Sequence, residues 1–449
     1  MMGVNMGKYF GTDGLRGVYG ENLTDELAYK LGKSIGYVLK DSSEKLFIIG
    51  TDTRESGKSL EKNLAKGLLE LGFNVVSIGI APTPAVAYLI KYFKAVGGAV
   101  ISASHNPYIY NGIKVFNQDG YKISDELEEK IEDILDDANF DFKRHIFGIF
   151  TEEKEAVSIY SDYLKSRVTG DFSNLKIAVD FGNGAAYEIS KKLFLDLGMN
   201  VISVNTNPDG KNINLNCGST NVEVIRKLVL ENKVDMGFSF DGDADRCIAV
   251  DEKGNIMDGD HILAAMAKSY KSQNELTNNA VVGTVMSNIG LKKYLSSIGV
   301  DFVSSNVGDR FVLENMLKNN YILGAEQSGH VIFLNDATTG DGTFTALKIC
   351  ELVVNSMNKL SYFNELMISY PQVLVNAKVK LENRNKYDED KEIVKKIKEI
   401  ENEFKEDGRV LIRPSGTEPL VRVMIEGKCE EKMQCKAKEL ANFIEKRLG

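Results

Sequence analysis

One pattern occurs three times along the chain. Leu71-Gly-Phe-Asn-Val-Val-Ser77, Leu197-Gly-Met-Asn-Val-Ile-Ser203 and Ile298-Gly-Val-Asp-Phe-Val-Ser304 each read as a helix end closed by glycine and then a β-branched buried strand. Each is preceded by another strand running into a polar turn, at 47–52, 177–180 and 280–284. Each is followed by a third strand with a polar loop, at 102–107, 241–246 and 326–330. Three copies of strand–helix–strand–helix–strand predict three doubly wound α/β domains of common pattern, with mainly parallel, mixed sheets. Chance similarity of glycine-rich strand starts is the alternative, and the matched order of elements favours duplication. Right-handed crossovers deliver each polar loop to the carboxyl edge of its sheet, where ligands bind in such folds, so the three loops can face one cleft.

From about residue 371 the pattern changes. A strand at 373–379, a highly charged helix at 388–405, strands at 409–412 and 421–426 and a helix at 430–447 predict a smaller α+β domain. The expected domains are 1–155, 156–254, 255–369 and 370–449, with 355–370 as a connection able to act as a hinge. A chain of 449 residues has room for them. The net charge of −9 argues against nucleic acid as the main partner, but not against an anionic small molecule. The five cysteines, 217, 247, 350, 429 and 435, are odd in number and scattered, which suits reduced thiols better than disulfides or a zinc site. Residues 1–12 lack the apolar core of a signal peptide, and no run approaches the roughly 18 apolar residues of a membrane span. A soluble cytoplasmic protein with no membrane partner is expected.

The first polar loop, Ser102-Ala-Ser-His-Asn-Pro107, closes a buried strand at 97–101. Ser104 there can be a nucleophile or carry a phosphoryl group. Neither a Ser-His-Asp order, a G-x-S-x-G elbow nor an S-x-x-K box is present. Taken alone, the loop reads as a turn in which Ser and Asn bond their own backbone, and it is the other motifs that decide against that reading.

The second loop, Asp241-Gly-Asp-Ala-Asp-Arg246, follows the apolar strand 234–240. Carboxylates at i, i+2 and i+4 would scatter around a helix, whereas a loop curled by Gly242 converges them. Three hard oxygen donors without His or Cys indicate Mg²⁺ or Ca²⁺ rather than zinc. An EF-hand is the rival, with Glu252 at its twelfth position. It fails because Arg246 stands at the sixth position in place of glycine and a hairpin turn follows at 251–255. Without a cation, three acids beside a buried strand repel one another.

Three further segments are weaker. In Gly324-Ala-Glu-Gln-Ser-Gly-His330, Glu326 and Ser328 suit sugar hydroxyls and Gly329 permits close backbone approach, although a plain turn fits as well. In Arg413-Pro-Ser-Gly-Thr-Glu-Pro419, Arg413, Ser415, Gly416 and Thr417, with Arg422 beyond, suit a phosphate dianion. No Walker pattern is present, and a tight Pro-Gly turn with an incidental Arg is the alternative. Gly11-Thr-Asp-Gly-Leu-Arg-Gly17 is a glycine-rich opening segment that brings Arg16 to the start of the first domain.

Together these loops resemble the α-D-phosphohexomutase family, from end to end and in the family's order: phosphoserine loop 102–107, metal loop 241–246, sugar loop 326–330 and phosphate loop 413–419. Gly11 to Gly17, Glu326 to His330 with Gln327 where glucose or mannose enzymes more often carry Met, and Asn306-Val-Gly-Asp-Arg310 look like the glucosamine branch. Ala325 replaces a commoner Gly and Leu15 a commoner Val.

The resemblance implies an isomerase that interconverts glucosamine 6-phosphate and α-glucosamine 1-phosphate, feeding UDP-N-acetylglucosamine and cell-wall synthesis. The alternative is a phosphomannomutase/phosphoglucomutase. Ser104 would be the phosphoserine, passing its phosphoryl group to the substrate and recovering the other one from a 1,6-bisphosphate. One Mg²⁺ would sit on Asp241, Asp243, Asp245 and the Ser104 phosphoryl. Arg16, His105 and Lys114 would be catalytic, the last two as candidate acid/base groups. His105 could equally be a structural neighbour of the serine. Arg246, Asp309, Arg310, Glu326, Ser328 and His330 would bind substrate. Arg413, Ser415, Gly416, Thr417 and Arg422 would hold the phosphate that is not reacting. The partners implied are the phosphorylated amino sugar and its bisphosphate, with room for a homodimer.

Overall fold

The computed structural model describes residues 8–11, 13–137, 147–153, 155–405, 408–415 and 419–449. The chain divides into two compact units, 1–286 with 299–366, and 287–298 with 367–449.

The threefold pattern of the sequence is a threefold pattern of topology. In the first domain Leu46–Thr51 runs parallel to Asn74–Ile80 on one side and to Gly97–Ile101 on the other. Lys176–Asp180 stands likewise between Asn200–Val204 and Met236–Phe240. Ala280–Thr284 stands between Asp301–Ser305 and Leu323–Ala325. The outcome differs from a mainly parallel sheet in one respect. The third strand of each domain turns straight back into an antiparallel fourth, Tyr110–Asn117, Cys247–Asp251 and Val331–Phe333. A short polar loop can make that reversal, whereas a parallel return needs a helical crossover. The three chemical loops are these reversals, so they share one topological position.

The first sheet is the widest, with seven strands extended by Gly14–Val18 and Phe10–Gly11 beyond the antiparallel strand and by Phe150–Glu152 at the far edge. Its strands Leu46–Thr51 and Gly97–Ile101 are almost wholly buried, as expected of runs covered on both faces. Gly32 and Gly67 let the helices Asp25–Val38 and Gly57–Leu69 cross closely, since a Cβ on Gly32 would fall 2.1 Å from the Leu64 carbonyl oxygen.

In the second unit Gln372–Lys378, Leu420–Glu426 and Arg409–Pro414 form an antiparallel sheet with Leu420–Glu426 central. The helices Lys391–Phe404 and Glu430–Leu448 contribute Ile393, Ile400, Met433, Leu440 and Ile444 to its core. The segment expected to be a plain connection, 355–370, contains a helix, Leu360–Asn364, whose Ser361 hydroxyl donates to Glu252 Oε1 at 2.6 Å. Among the described residues no helix is long and apolar enough to cross a membrane.

Candidate active site

Ser104 begins the reversal after Gly97–Ile101 and is completely buried. Its backbone is left-handed, with φ at +51°, a conformation disfavoured for a residue with a Cβ. Its amide donates to Ser102 Oγ at 2.9 Å, and its hydroxyl donates to Asp241 Oδ2 at 2.6 Å. The phosphoserine and metal loops therefore meet side chain to side chain. They also meet backbone to backbone, because a Cβ on Gly242 would lie 2.5 Å from the Ser104 carbonyl oxygen.

The carboxylates of Asp241, Asp243 and Asp245 converge, with one oxygen of each within 4.8 Å of the others, and all three residues are buried. Ala244, with φ at +54°, supplies the curl that turns alternate side chains inward. Among the described residues Asp243 Oδ1 and Asp245 Oδ1 accept no hydrogen bond, and Arg246 Nε lies 3.8 Å from the latter. Burial, reinforced by Asp245 and Asp243, pushes the Asp241 carboxyl well above the usual range. Buried, uncompensated hard oxygens are what a small divalent cation satisfies, so these residues fit such an ion.

Behind the triad runs a chain of alternating charge. Lys114 Nζ, buried on the strand Tyr110–Asn117, lies 2.8 Å from Asp243 Oδ2, 3.1 Å from Asp245 Oδ2 and 3.1 Å from Asp13 Oδ2. Burial opposes its charge, but Asp13, Asp243 and Asp245 outweigh it and hold the ammonium well above its ordinary pKa. Asp13 also pairs with Arg16 and with Lys122, and Lys122 Nζ reaches Asp309 Oδ2 at 2.5 Å. Lys114 is thus held as a cation within this charge chain.

His105 Nδ1 lies 3.4 Å from Ser104 Oγ and 3.3 Å from Arg246 Nη1. A guanidinium only donates, so Nδ1 accepts. Burial first, then Arg246 and Arg16, lower the imidazole to about 4. It is neutral near pH 7, an acceptor beside the serine.

The sugar loop is a tight reversal closed by Glu326 N–H to the His330 carbonyl at 2.9 Å. Gly329 is required there, because its φ is +93° and a Cβ would meet the Cys247 carbonyl oxygen at 2.4 Å. Glu326 Oε1 accepts from Gly308 N–H at 3.0 Å, and burial raises its carboxyl. Ser328 is exposed. His330 is buried; its Nε2 accepts from Gly340 N–H at 3.2 Å, and its Nδ1 has no partner. His330 Nε2 also lies 3.6 Å from Asp309 Oδ2. Gln327 Nε2 donates to Asp258 Oδ2 at 3.2 Å, so it braces the loop on the cap of the helix Gly259–Ser272. Arg310 pairs with Asp125, with Glu128 at 3.4 Å and with Glu314 at 3.2 Å. Its guanidinium is turned toward these carboxylates.

In the second unit Arg413 and Arg422 are direct partners across antiparallel strands. Like charges so placed repel. Burial and Arg422 lower the Arg413 pKa, and Arg413 Nε has no partner. Ser415 is buried, with its amide donating to the Leu420 carbonyl at 2.8 Å. Gly416 and Thr417 lie outside the described residues.

Sequence reasoning missed several partners of this site. Asp13 and Lys122 form the charge chain, and Thr83 Oγ1 donates to Asp243 Oδ2 at 2.6 Å. Asp52, Arg54 and Asn214 surround the serine loop. The Asp52-Thr-Arg54 turn was visible as the polar end of the first repeated strand, and position alone would have nominated it.

Comparisons with known proteins agree with this geometry. The phosphoglucomutase/phosphomannomutase domains match in order: α/β/α domain I over 7–142, domain II over 158–254, domain III over 258–370 and the C-terminal domain over 374–443. The phosphoglucosamine mutase of Finegoldia magna is 56% identical over 445 residues, covering 98% of this chain and 99% of that one. That of Alkaliphilus oremlandii is 53% identical, covering 99% and 100%. The crystal structure of a phosphoglucomutase/phosphomannomutase family protein from Burkholderia thailandensis superposes with a TM-score of 0.81 at 23% identity, covering 98% and 97%. With three reversal loops and an arginine-bearing C-terminal sheet arranged in one order, the chain belongs to the phosphoglucomutase/phosphomannomutase family.

Proposed function

We propose that this enzyme interconverts glucosamine 6-phosphate and α-glucosamine 1-phosphate through a phosphoserine at Ser104 and a 1,6-bisphosphate intermediate. The observation that carries the reading is the buried Ser104 hydroxyl, 2.6 Å from Asp241 Oδ2 at the edge of the carboxylate triad. The full-length likeness to phosphoglucosamine mutases supports the choice of sugar.

A Mg²⁺ ion held by Asp241, Asp243 and Asp245, and by an oxygen of the Ser104 phosphoryl, would draw charge from that group as it transfers. The chain's own residues do the rest. The substrate hydroxyl oxygen bonds to phosphorus as the Ser104 Oγ–P bond breaks, and the proton it gives up is matched by one taken up at Ser104 Oγ. The bisphosphate then turns over, Ser104 Oγ gives up that proton and bonds to the other phosphorus as that phosphorus parts from its sugar oxygen, and the sugar oxygen takes a proton as the isomerised monophosphate leaves. Arg16, Lys114 and Arg246 offset the negative charge, and neutral His105 stands beside the serine oxygen. Glu326, Ser328 and His330 hold the sugar in both orientations. Asp309 and Arg310 set the loop beside them. Arg413, Arg422, Ser415, Gly416 and Thr417 hold the phosphate at rest.

The test is turnover on glucosamine, glucose and mannose phosphates with a 1,6-bisphosphate activator, together with peptide mapping of the phosphorylated residue. The highest kcat/KM on the glucosamine ester and phosphate on Ser104 are expected. Preference for glucose or mannose phosphate would move the enzyme to the other branch of the family.

A further inference from the structure

The loop that carries Ser104 is gripped by two residues that the reaction above does not use. The carbonyl oxygens of Ser104 and Asn106 each receive a donor from Arg54 and a donor from Asn214. Arg54 Nη2 lies 3.1 Å from the first and 2.6 Å from the second. Asn214 Nδ2 lies 2.9 Å and 3.2 Å from the same two atoms. Arg54 comes from the turn after the first strand of its own domain, whereas Asn214 comes from the second domain. The loop is therefore held from two sides by separately folded elements.

Arg54 is itself fixed. Its Nη1 pairs with Asp52 and lies 3.4 Å from Ser102 Oγ, and its amide donates to Asp52 Oδ1 at 2.9 Å. Both side chains are wholly shielded from solvent. A buried ion pair is weak evidence for stability, because desolvation consumes most of the attraction. This guanidinium directs Nη2 to the backbone of one loop, where Ser104 has a left-handed φ of +51°. That conformation relaxes unless surrounding groups over-determine it. The planar fork suits the task, since one nitrogen can hold the carboxylate while the other bridges two carbonyls.

We propose that Arg54, seated on Asp52 and assisted by Asn214, is a positioning residue. It locks Ser104 in the left-handed conformation, so that Oγ keeps one place and direction whether it carries a phosphoryl group or is about to receive one. The inference rests on the reading of Ser104 as the phosphoserine. A mutase uses the same oxygen as leaving group and as nucleophile within one cycle. Loop relaxation between the two half-reactions would misplace it for the second.

The test compares Arg54→Lys and Asn214→Ala with wild type by kcat, KM, thermal unfolding and the ³¹P resonance of the phosphoenzyme. An ammonium cannot hold Asp52 and bridge both carbonyls. A misplacement of about 1 Å costs about a hundredfold in rate, so Arg54→Lys is expected to lose about that in kcat while KM stays within about twofold. Asn214→Ala, which leaves the arginine grip intact, should lose about tenfold in the same pattern. In both variants the phosphoserine resonance should shift or broaden. A wild-type kcat and resonance in Arg54→Lys, with only a lowered unfolding temperature, would reduce the ion pair to a structural one and overturn the proposal. If Arg54→Lys does not fold, Asn214→Ala decides, and an unchanged kcat there overturns it equally. Activity surviving in Ser104→Ala would instead remove the phosphoserine reading, whatever the Arg54 variants do.

Discussion

The carboxylate site of the first unit and the arginine pair of the second gather charges of opposite sign. In the first, Lys114 lies among Asp13, Asp243 and Asp245, Lys122 bridges Asp13 and Asp309, and Arg54 holds Asp52. The Asp241 carboxyl is nonetheless raised, by burial and by Asp245 and Asp243, which marks an excess of negative charge at that carboxylate. In the second, Arg413 and Arg422 face each other across paired strands, and burial and repulsion lower the Arg413 pKa. On the proposed function, a cation joins the first region and a phosphate the second.

The largest effect should come from the serine at the edge of the first region. Ser104→Ala removes the group that carries phosphorus, so turnover should fall by on the order of 10⁴-fold or more. The unfolding temperature should change little, because only a hydroxyl bonded to Asp241 is lost. Substantial turnover in the variant would break the comparison at its first member.

Thr83→Val tests whether a metal joins the first region. Thr83 Oγ1 and N–H both bind Asp243, to Oδ2 at 2.6 Å and to the carbonyl oxygen at 2.9 Å, and the substitution removes only the first bond. Loss of such an orienting partner weakens metal affinity about 10–100-fold. The Mg²⁺ concentration for half-maximal activity should rise accordingly, with maximal activity recovered at high Mg²⁺. An unchanged Mg²⁺ dependence would separate Asp243 from metal binding.

Arg413→Lys tests whether a phosphate joins the second. The charge is kept but the fork is lost, so a phosphate binds with less defined orientation. A raised KM with kcat lowered about tenfold is expected, as one charge-assisted contact of about 1.4 kcal/mol would give. Inorganic phosphate should also raise the unfolding temperature of the wild type more than that of the variant. Equal stabilisation of the two would mean that the anion binds elsewhere.

The two regions were unequally legible in the sequence. The repeat Leu71, Leu197 and Ile298 announced three α/β domains because a glycine-capped helix end and a β-branched strand are local signals. The Asp241, Asp243 and Asp245 triplet was legible for the same reason, with its ligands two residues apart. The antiparallel fourth strands were not, because a buried strand reads alike in either direction. Asp13, Thr83, Lys122 and Asn214 were also hidden, since their partners lie far along the chain and only the fold brings them together. Arg310 was legible only through its motif, and the fold adds its partners Asp125, Glu128 and Glu314.

Glu128 tests how far charge compensation extends at the outer end of the first region. It lies 3.4 Å from Arg310, yet burial outweighs that attraction and pushes its carboxyl up to about 7. Because the folded value lies above the unfolded one, the folded state binds more protons between roughly pH 4.5 and 7. The contribution of Glu128 to stability is therefore present below that window and is lost as pH rises through it. Glu128→Gln keeps the shape of the protonated acid and cannot ionise. At pH 5 its unfolding temperature should match the wild type, and by pH 8 the variant should be the more stable by a few degrees. The group is partly solvated, which keeps the effect small. The measurement is the difference in unfolding temperature at pH 5, 6.5 and 8. A variant that becomes relatively less stable as pH rises would show that Arg310 holds Glu128 ionised, and would extend the compensated network to the rim of the site.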